Sequence, residues 1–530
     1  MHHDGWVRGA EFSADESGIL TWNRDHTARL WKAEDGSIVA RMNHDNVEIW
    51  KAEFSLDESR ILTRTEDAAR VWRFGDDTQV TGINHDGSVW GIESSADGSR
   101  ILTWSESFES DKTARLWRAE DGAELLRMNH DNNVSGAKFS EDGALILTWS
   151  SDIWGKDTIA HLWRVEDGVQ VAEMNHDGYI LGARFSADGS RILTWSEDGT
   201  ARLWMTEDGT ELLRVNHEMG VQEAEFSTDG SRILSWSSSF TPSGNIRSDS
   251  MVHIWSTEDG TEVLRMNDDG PVEGVTFSAD GSRVLTWSHD DSASLWRVED
   301  GVEVLRMDHD SSVEGAGFSA DESLILTWGD KTAHLWRVDD GIEVARMNHD
   351  DFVSGARFSS DESRILTWSI DNTACLWNTG DGAKVLQMDH DGWVQGATFS
   401  ADGSLILTWS EDKTARLWRA EDGSVVAQMN EDSPVEGAWF SADNSRILTW
   451  NRNNTARLWD ISVDYDFPSE HLPLQVEVMT GTTMNDHCAV SALNAEEWKR
   501  KKKQYDRIAR EHAEEECRYK KANLYLKRKR

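Results

Sequence analysis

Residues 388–429 read MDHDGWVQGATFSADGSLILTWSEDKTARLWRAEDGSVVAQM and divide into four short runs separated by turn residues. WVQGATF alternates and carries β-formers, and SADGS after it has the composition of a tight turn. LILTW is the second run and TARLW the third, with SEDK between them. The Asp-Gly of RAEDGS is a strong hairpin signal, and SVVAQM follows as a fourth strand. A helical repeat is disfavoured, because turn residues interrupt every run within about 8–12 residues.

This stretch is one of eleven copies. The tryptophan that closes the third run recurs at 31, 72, 117, 163, 204, 255, 296, 336, 377, 418 and 459. Four antiparallel strands per unit of roughly 40 residues, repeated, make the β-propeller pattern. The expected fold is all-β: eleven four-stranded blades in two tandem rings or one large ring, plus a short C-terminal α-helix. Single rings usually hold about four to eight blades. The expected division therefore puts blades 1–4 in residues 1–174, blades 5–11 in 175–482 and a basic helical tail in 483–530. A five-plus-six split and a single eleven-blade ring stay open. The chain opens inside a repeat, at Met1-His2-His3, which leads to the expectation of further blades or another domain before it.

The order of a histidine, about 28 residues, then tryptophan at a strand end with aspartate six before it resembles the WD-repeat family. The resemblance covers residue 1 to about 480. The family's Gly-His reads Asn-His or Asp-His here, its Trp-Asp survives only at Trp459-Asp460, and a tryptophan replaces its small residue in the second strand. The resemblance implies a buried hydrogen-bond network in each blade, formed by His390, Ser410, Asp412 and Trp418 in the tenth copy and His176, Ser196, Asp198 and Trp204 in the fifth. Nine copies keep the histidine, and Asp268 and Glu431 replace it in the other two. Asp becomes Glu66 in the second copy and Asn453 in the last.

His–Asp pairs can orient a catalytic imidazole. Nine equivalent copies with no recurring nucleophile beside them point instead to satisfied core groups. No P-loop, HExxH, CxxC or GxSxG element is present, and the Asp-rich turns lack a calcium-loop pattern. The expectation is a protein without catalysis, cofactor or metal. Eleven tryptophans close third strands and ten more occupy second strands, with Arg64 in the second copy. Blade-to-blade packing is the simpler account of these, and an aromatic ligand cage the sharper one.

Function is sought where the copies differ. Two positions at the start of the first strand vary most, and the resemblance places them on the top face, around the central channel, where partners dock. The candidate partner-binding residues are Trp6, Arg8, Arg24, Trp50, Trp90, Tyr179, Phe352 and Trp393, since Trp, Tyr and Arg dominate interface energetics. Filling of the channel is the alternative. Swollen turns at 105–112, 150–157 and 237–249 add Phe108, Trp154 and Phe240 as candidate exposed tips.

Net charge is −42, but residues 496–530 carry +7 and the rest −49. The repeats should repel nucleic acid and anionic lipid, while the tail could attract either. PLQVEVMTGT (473–482) reads as a closing fourth strand. Beyond it, Trp498, Tyr505, Ile508, His512 and Tyr519 form a stripe on a charged helix. Docking of this tail on its own acidic propeller is preferred over a coiled-coil contact or an anionic surface. The closing segment also resembles the tail of bacterial WD-repeat arrays, which implies a sensor or scaffold part of a larger signalling assembly. Three scattered cysteines (Cys375, Cys488, Cys517), no apolar span and no signal-peptide pattern lead to a cytoplasmic expectation with a protein or peptide partner.

Overall fold

A computed structural model of the protein describes most of residues 1–461; the longest stretches left out are 106–110, 152–157 and 238–249. Beyond 461 it describes chiefly 482–484, 490–492 and 499–505. Ten four-stranded antiparallel sheets and one with three described strands follow one another along the chain. Blade 1 is typical, with β1 (Val7–Phe12), β2 (Gly18–Asn23), β3 (Thr27–Lys32) and β4 (Ile38–Asn43) paired in sequence order. First strands of neighbouring blades approach one another, so the first strand is innermost and the fourth lies at the rim.

Local chemistry sets the turns. In blade 10 the Ser400 hydroxyl donates to Asp402 at 2.7 Å and accepts from the Leu405 N–H at 2.9 Å, closing the turn between the first two strands. Gly403 there, and Gly423 in the Asp-Gly turn before the fourth strand, hold φ near +70° and +72°, where a side chain is strained. Asp422 accepts from the Ser424 N–H at 2.9 Å in that second turn.

Both tryptophan sets pack between blades. Trp418 sits against Leu366, Leu376 and Met388 of blade 9 and Val394 and Ile406 of its own. The second-strand tryptophans do so in the other direction, Trp368 joining that same cluster from blade 9. Each also pairs directly with the first strand, mostly with a glycine, as Gly396 does with Trp409. A β-carbon on Gly396 would meet the Trp409 ring at 2.1 Å. Blade 2 exchanges both partners, pairing Lys51 with Arg64, while blade 6 sets Glu223 opposite Trp236, for which we have no physical account. Gly396→Ala should therefore destabilise the ring by about 1–3 kcal/mol through overpacking, read as a lowered denaturant midpoint, whereas Lys51→Ala leaves the midpoint almost unmoved.

The blades close into one ring, the second of the two expected arrangements. Val7, Ile19 and Trp31 of blade 1 share a core with Leu448 and Ala456 of blade 11. Across the seam Arg446 donates to the Ala33 carbonyl, and the Ala442 N–H donates to Glu16. The core also runs unbroken past residue 174, since Leu162 and Met174 of blade 4 pack with Ile180 and Trp204 of blade 5.

Glu16 belongs to a recurring device. In five blades the left-handed turn position held elsewhere by glycine carries Glu16, Glu58, Glu322, Glu362 or Asn444, with φ between 55° and 57°. That conformation costs about 1–2 kcal/mol for a non-glycine residue. Each of these side chains accepts a backbone N–H from the preceding blade, from Ala442, Ala14, Ala279, Ala320 and Ala401 respectively. For the four glutamates a hydrogen bond to a charged group, worth about 1.5–3 kcal/mol, offsets the strain; for Asn444 the bond is neutral and worth about 0.5–1.5 kcal/mol.

Blade 11 shows Val435–Phe440, Arg446–Asn451 and Ala456–Asp460. The expected closing strand at 473–482 falls almost wholly outside the described residues, and Thr482–Met484 pairs instead with Val490–Ala492. Residues 499–505 are helical, while His512 and Tyr519 of the expected stripe lie outside the described residues, as does Trp498.

Candidate functional site

In blades 3, 5, 9 and 10 a polar network ties two loops to one face. In blade 10, His390 lies in the loop entering the first strand and Asp412 in the turn between the second and third. The His390 Nδ1 and Asp412 Oδ2 are 2.9 Å apart, and Nε2 lies 2.8 Å from the Thr408 hydroxyl. Trp418 donates its indole N–H to that same hydroxyl at 2.8 Å. Thr408 is thus the hub between histidine and tryptophan, a residue the expected network of His390, Ser410, Asp412 and Trp418 did not include. Ser410 instead accepts from the Asp412 N–H at 3.0 Å and donates to the Gly392 carbonyl at 2.8 Å, bracing the loop.

Blade 5 repeats this arrangement. His176 lies 2.7 Å from Thr194 and 3.1 Å from Asp198, Trp204 donates to Thr194 at 2.9 Å, and Ser196 accepts from the Asp198 N–H. Burial lowers the His176 pKa and keeps the ring neutral. Burial alone would raise Asp198, but hydrogen bonds from His176, Thr200 and the Asp177 N–H hold it well below the usual carboxylate range. The signal for the hub was in the sequence: every copy has Thr, or Ser235, directly before the second-strand aromatic or its arginine replacement.

Two variations carry chemistry of their own. In blade 11 Glu431 takes the histidine's place, accepting from Thr449 at 2.6 Å and Asn451 at 2.8 Å, and burial raises its pKa. In blades 4, 6 and 8 a second histidine replaces the third-strand residue that is Arg202 in blade 5. His130–His161, His217–His253 and His309–His334 then bring buried rings to 4.8, 4.2 and 4.1 Å. Among the described residues no group of three or more His, Cys, Asp or Glu is placed to hold a metal ion.

Above this network lie the variable positions. The backbone carbonyls of Trp6, Tyr179, Phe352 and Trp393 accept from the N–H groups of Arg24, Glu197, Ile370 and Glu411, at 2.8–3.0 Å. These bonds extend the ladder past the bulge in each first strand, so the aromatics stand on fixed backbone. Trp6, Trp90 and Trp393 are about half exposed, at 48%, 48% and 50%, while Trp50, Tyr179 and Phe352 are partly covered.

Ring closure makes neighbours of distant sequence. Phe352 and Trp393 on blades 9 and 10 lead through blade 11 to Trp6, Trp50 and Trp90 on blades 1, 2 and 3. Only Tyr179, on blade 5, stands apart. Arg24 stacks over Trp6 at 4.6 Å and Arg64 over Trp50 at 5.2 Å, and Trp50 meets Trp90 edge to face at 6.5 Å. Arg8 and Arg24 converge on one carboxylate, Glu48, at 2.7 and 2.8 Å. An open cleft of about 360 Å³ spans the seam, lined by Trp6, Val7, Arg8 and Arg24 of blade 1 and Glu436 and Trp450 of blade 11. Glu48 and Glu436 stand at the same two variable first-strand positions as the candidates, and Arg64 and Trp450 in second strands; sequence reasoning did not join them to the site, because their roles depend on blades meeting. Phe108, Trp154 and Phe240 lie outside the described residues.

The family model described as WD domain, G-beta repeat matches residues 168–205 and 383–419. No curated protein matches the chain. Among solved structures it is similar to the computationally designed Ika8 protein, at 18% identity and a TM-score of 0.37, covering 64% of this chain and 100% of that one.

Proposed function

The chain is a WD-repeat β-propeller, and from that premise we propose a non-catalytic scaffold whose top face binds a protein or peptide along blades 9 to 3. The observation that carries this reading is the aromatic and basic arc centred on the seam cleft. Half-exposed tryptophans on fixed backbone lose little entropy on binding and make strong anchors. Loops on a rigid ring are a common seat of recognition. The histidine–aspartate pairs lie buried beneath the face, where they shape loops and meet no substrate. In the same reading the chain is the sensor or scaffold part of a larger bacterial signalling assembly, on the resemblance of its closing segment.

A second reading is a tether, favoured by the +7 of residues 496–530 beside −49 in the remainder. Three immobilised baits separate the two: the whole chain, Trp6→Ala/Trp90→Ala/Trp393→Ala, and a chain with Lys499, Arg500, Lys501, Lys502 and Lys503 changed to Gln. A partner from native lysate should be held by the first and third and lost by the second, each tryptophan contributing about 2 kcal/mol. A partner lost only with the lysines and arginine, and released by salt, replaces the scaffold reading with the tether.

A further inference from the structure

We infer that the seam cleft and its flanking arc take a peptide segment pairing a carboxylate with an aromatic or large apolar side chain. This rests on the top-face reading and adds the chemistry of the partner.

Cations on this arc exceed the anions that satisfy them. Arg8 and Arg24 share Glu48 and face Glu436 across the cleft; with Arg64 beside Trp50, three guanidinium charges meet these two carboxylates. Arg24 keeps 48% of its side chain exposed while stacked on Trp6, in the geometry that presents a guanidinium edge to an incoming acceptor. Arg64 is more telling. Its only described hydrogen bond is to the Val89 carbonyl at 3.1 Å, and no carboxylate pairs with it among the described residues. Burial lowers its pKa against the opposing pull of Glu53, a carboxylate already held by Lys51. Glu436 on the far wall of the cleft excludes a purely acidic ligand and sets where a carboxylate can lie.

The apolar half of the ligand follows from what surrounds the cations. Trp6, Trp90 and the indole of Trp450 leave planar surface beside the arginines. A carboxylate bound by arginine between tryptophans exchanges water for a drier setting, where the charged hydrogen bonds strengthen. The rest of the repeats is strongly acidic, so a ligand with several carboxylates is repelled at range. One or two carboxylates next to an aromatic is the composition that gains at the arc without that penalty.

The test is selection of random dodecapeptides on phage against the full chain, at physiological salt, with Arg8→Ala/Arg24→Ala and the Trp6/Trp90/Trp393 triple variant as parallel baits. Circular dichroism and melting confirm that each bait is folded. Enriched clones should carry Asp or Glu within a few residues of Trp, Phe, Tyr or Leu. Changing that acid to its amide should weaken binding about tenfold to the native chain and much less to Arg8→Ala/Arg24→Ala. Enrichment of basic or uncharged clones that still need the tryptophans overturns the ligand chemistry and leaves the top-face reading standing. Clones that bind all three baits equally, or no enrichment on the native chain, overturn both.

Discussion

Lowering the pH from 7 to 4.5 should strip the ring of stability steeply, before most carboxylates titrate. Burial pushes His3, His44, His130, His217 and His309 down to about 3 and His334 to about 4. An unfolded histidine titrates near 6.5. Between those values the unfolded chain binds more protons, so stability falls as pH falls through 6.5 and onward to the folded pKa. Each such histidine contributes about 1.4 kcal/mol per pH unit. Glu11 and Glu93 act the opposite way: burial raises both to about 7, so acidification from 7 toward 4.5 relieves them. Six imidazoles against two carboxyls leave a net loss on the order of 5 kcal/mol per pH unit near pH 5. The aspartates held low by hydrogen bonds, such as Asp198, add their own loss below about pH 4. Melting followed by tryptophan fluorescence at half-unit pH steps checks this. A melting temperature unchanged from pH 7 to pH 5 would mean that the imidazoles are not buried as described.

The second large effect belongs to the hub. Thr408→Val keeps shape and volume but removes the oxygen shared by Trp418 and His390, both buried. An unpaired buried polar group costs about 1–3 kcal/mol, so two leave the blade about 2–6 kcal/mol weaker. Ser410→Ala loses one loop brace and should cost about 1 kcal/mol. Urea titration of both variants orders them, and an equal or reversed ranking would mean that Thr408 is not the hub. Blade 6 gives a natural partial case: Ser235 still meets His217 at 2.8 Å, yet the Trp255 indole nitrogen has no partner.

Much of the blade was legible in residues 388–429. The four runs became strands at Val394–Phe399, Leu405–Ser410, Thr414–Arg419 and Val425–Asn430, because alternation and Asp-Gly turns act over a few residues. Thr408 went unnamed because the resemblance supplied the hydroxyl of Ser410, and only the geometry of the strand brings Thr408 to both His390 and Trp418. The ring size was not legible. How many blades close a ring depends on the small angle between packed sheets, set by contacts such as Trp418 on Leu376 and Met388, and no single repeat encodes it. The candidate site was half legible for the same reason. Trp6 and Trp393 were each visible as unusual, but 387 positions of chain separate what the seam leaves with a single blade between them. Glu431 with Asn453 was visible as a paired change, yet its meaning waited for Thr449 and Asn451 to be seen donating to the carboxylate.

One kind of side-chain tie between blades is distributed unevenly. Carboxylate or amide ties cross from blade 7 to 8, 8 to 9, 10 to 11, 11 to 1 and 1 to 2. In blades 3 to 7 and in blade 10 the same turn position is glycine, at Gly98, Gly143, Gly189, Gly230, Gly281 and Gly403, and a glycine offers no side chain to tie with. Arginines bridge several of these junctions instead: Arg60 reaches the Gly98 carbonyl, Arg100 that of Gly143, Arg232 that of Gly281, and Arg357 the Thr398 hydroxyl. The ring is thus a hoop cross-linked by two devices, and a load entering at one blade is passed to its neighbours rather than borne by the arc that holds Phe352, Trp393, Trp6 and Trp50.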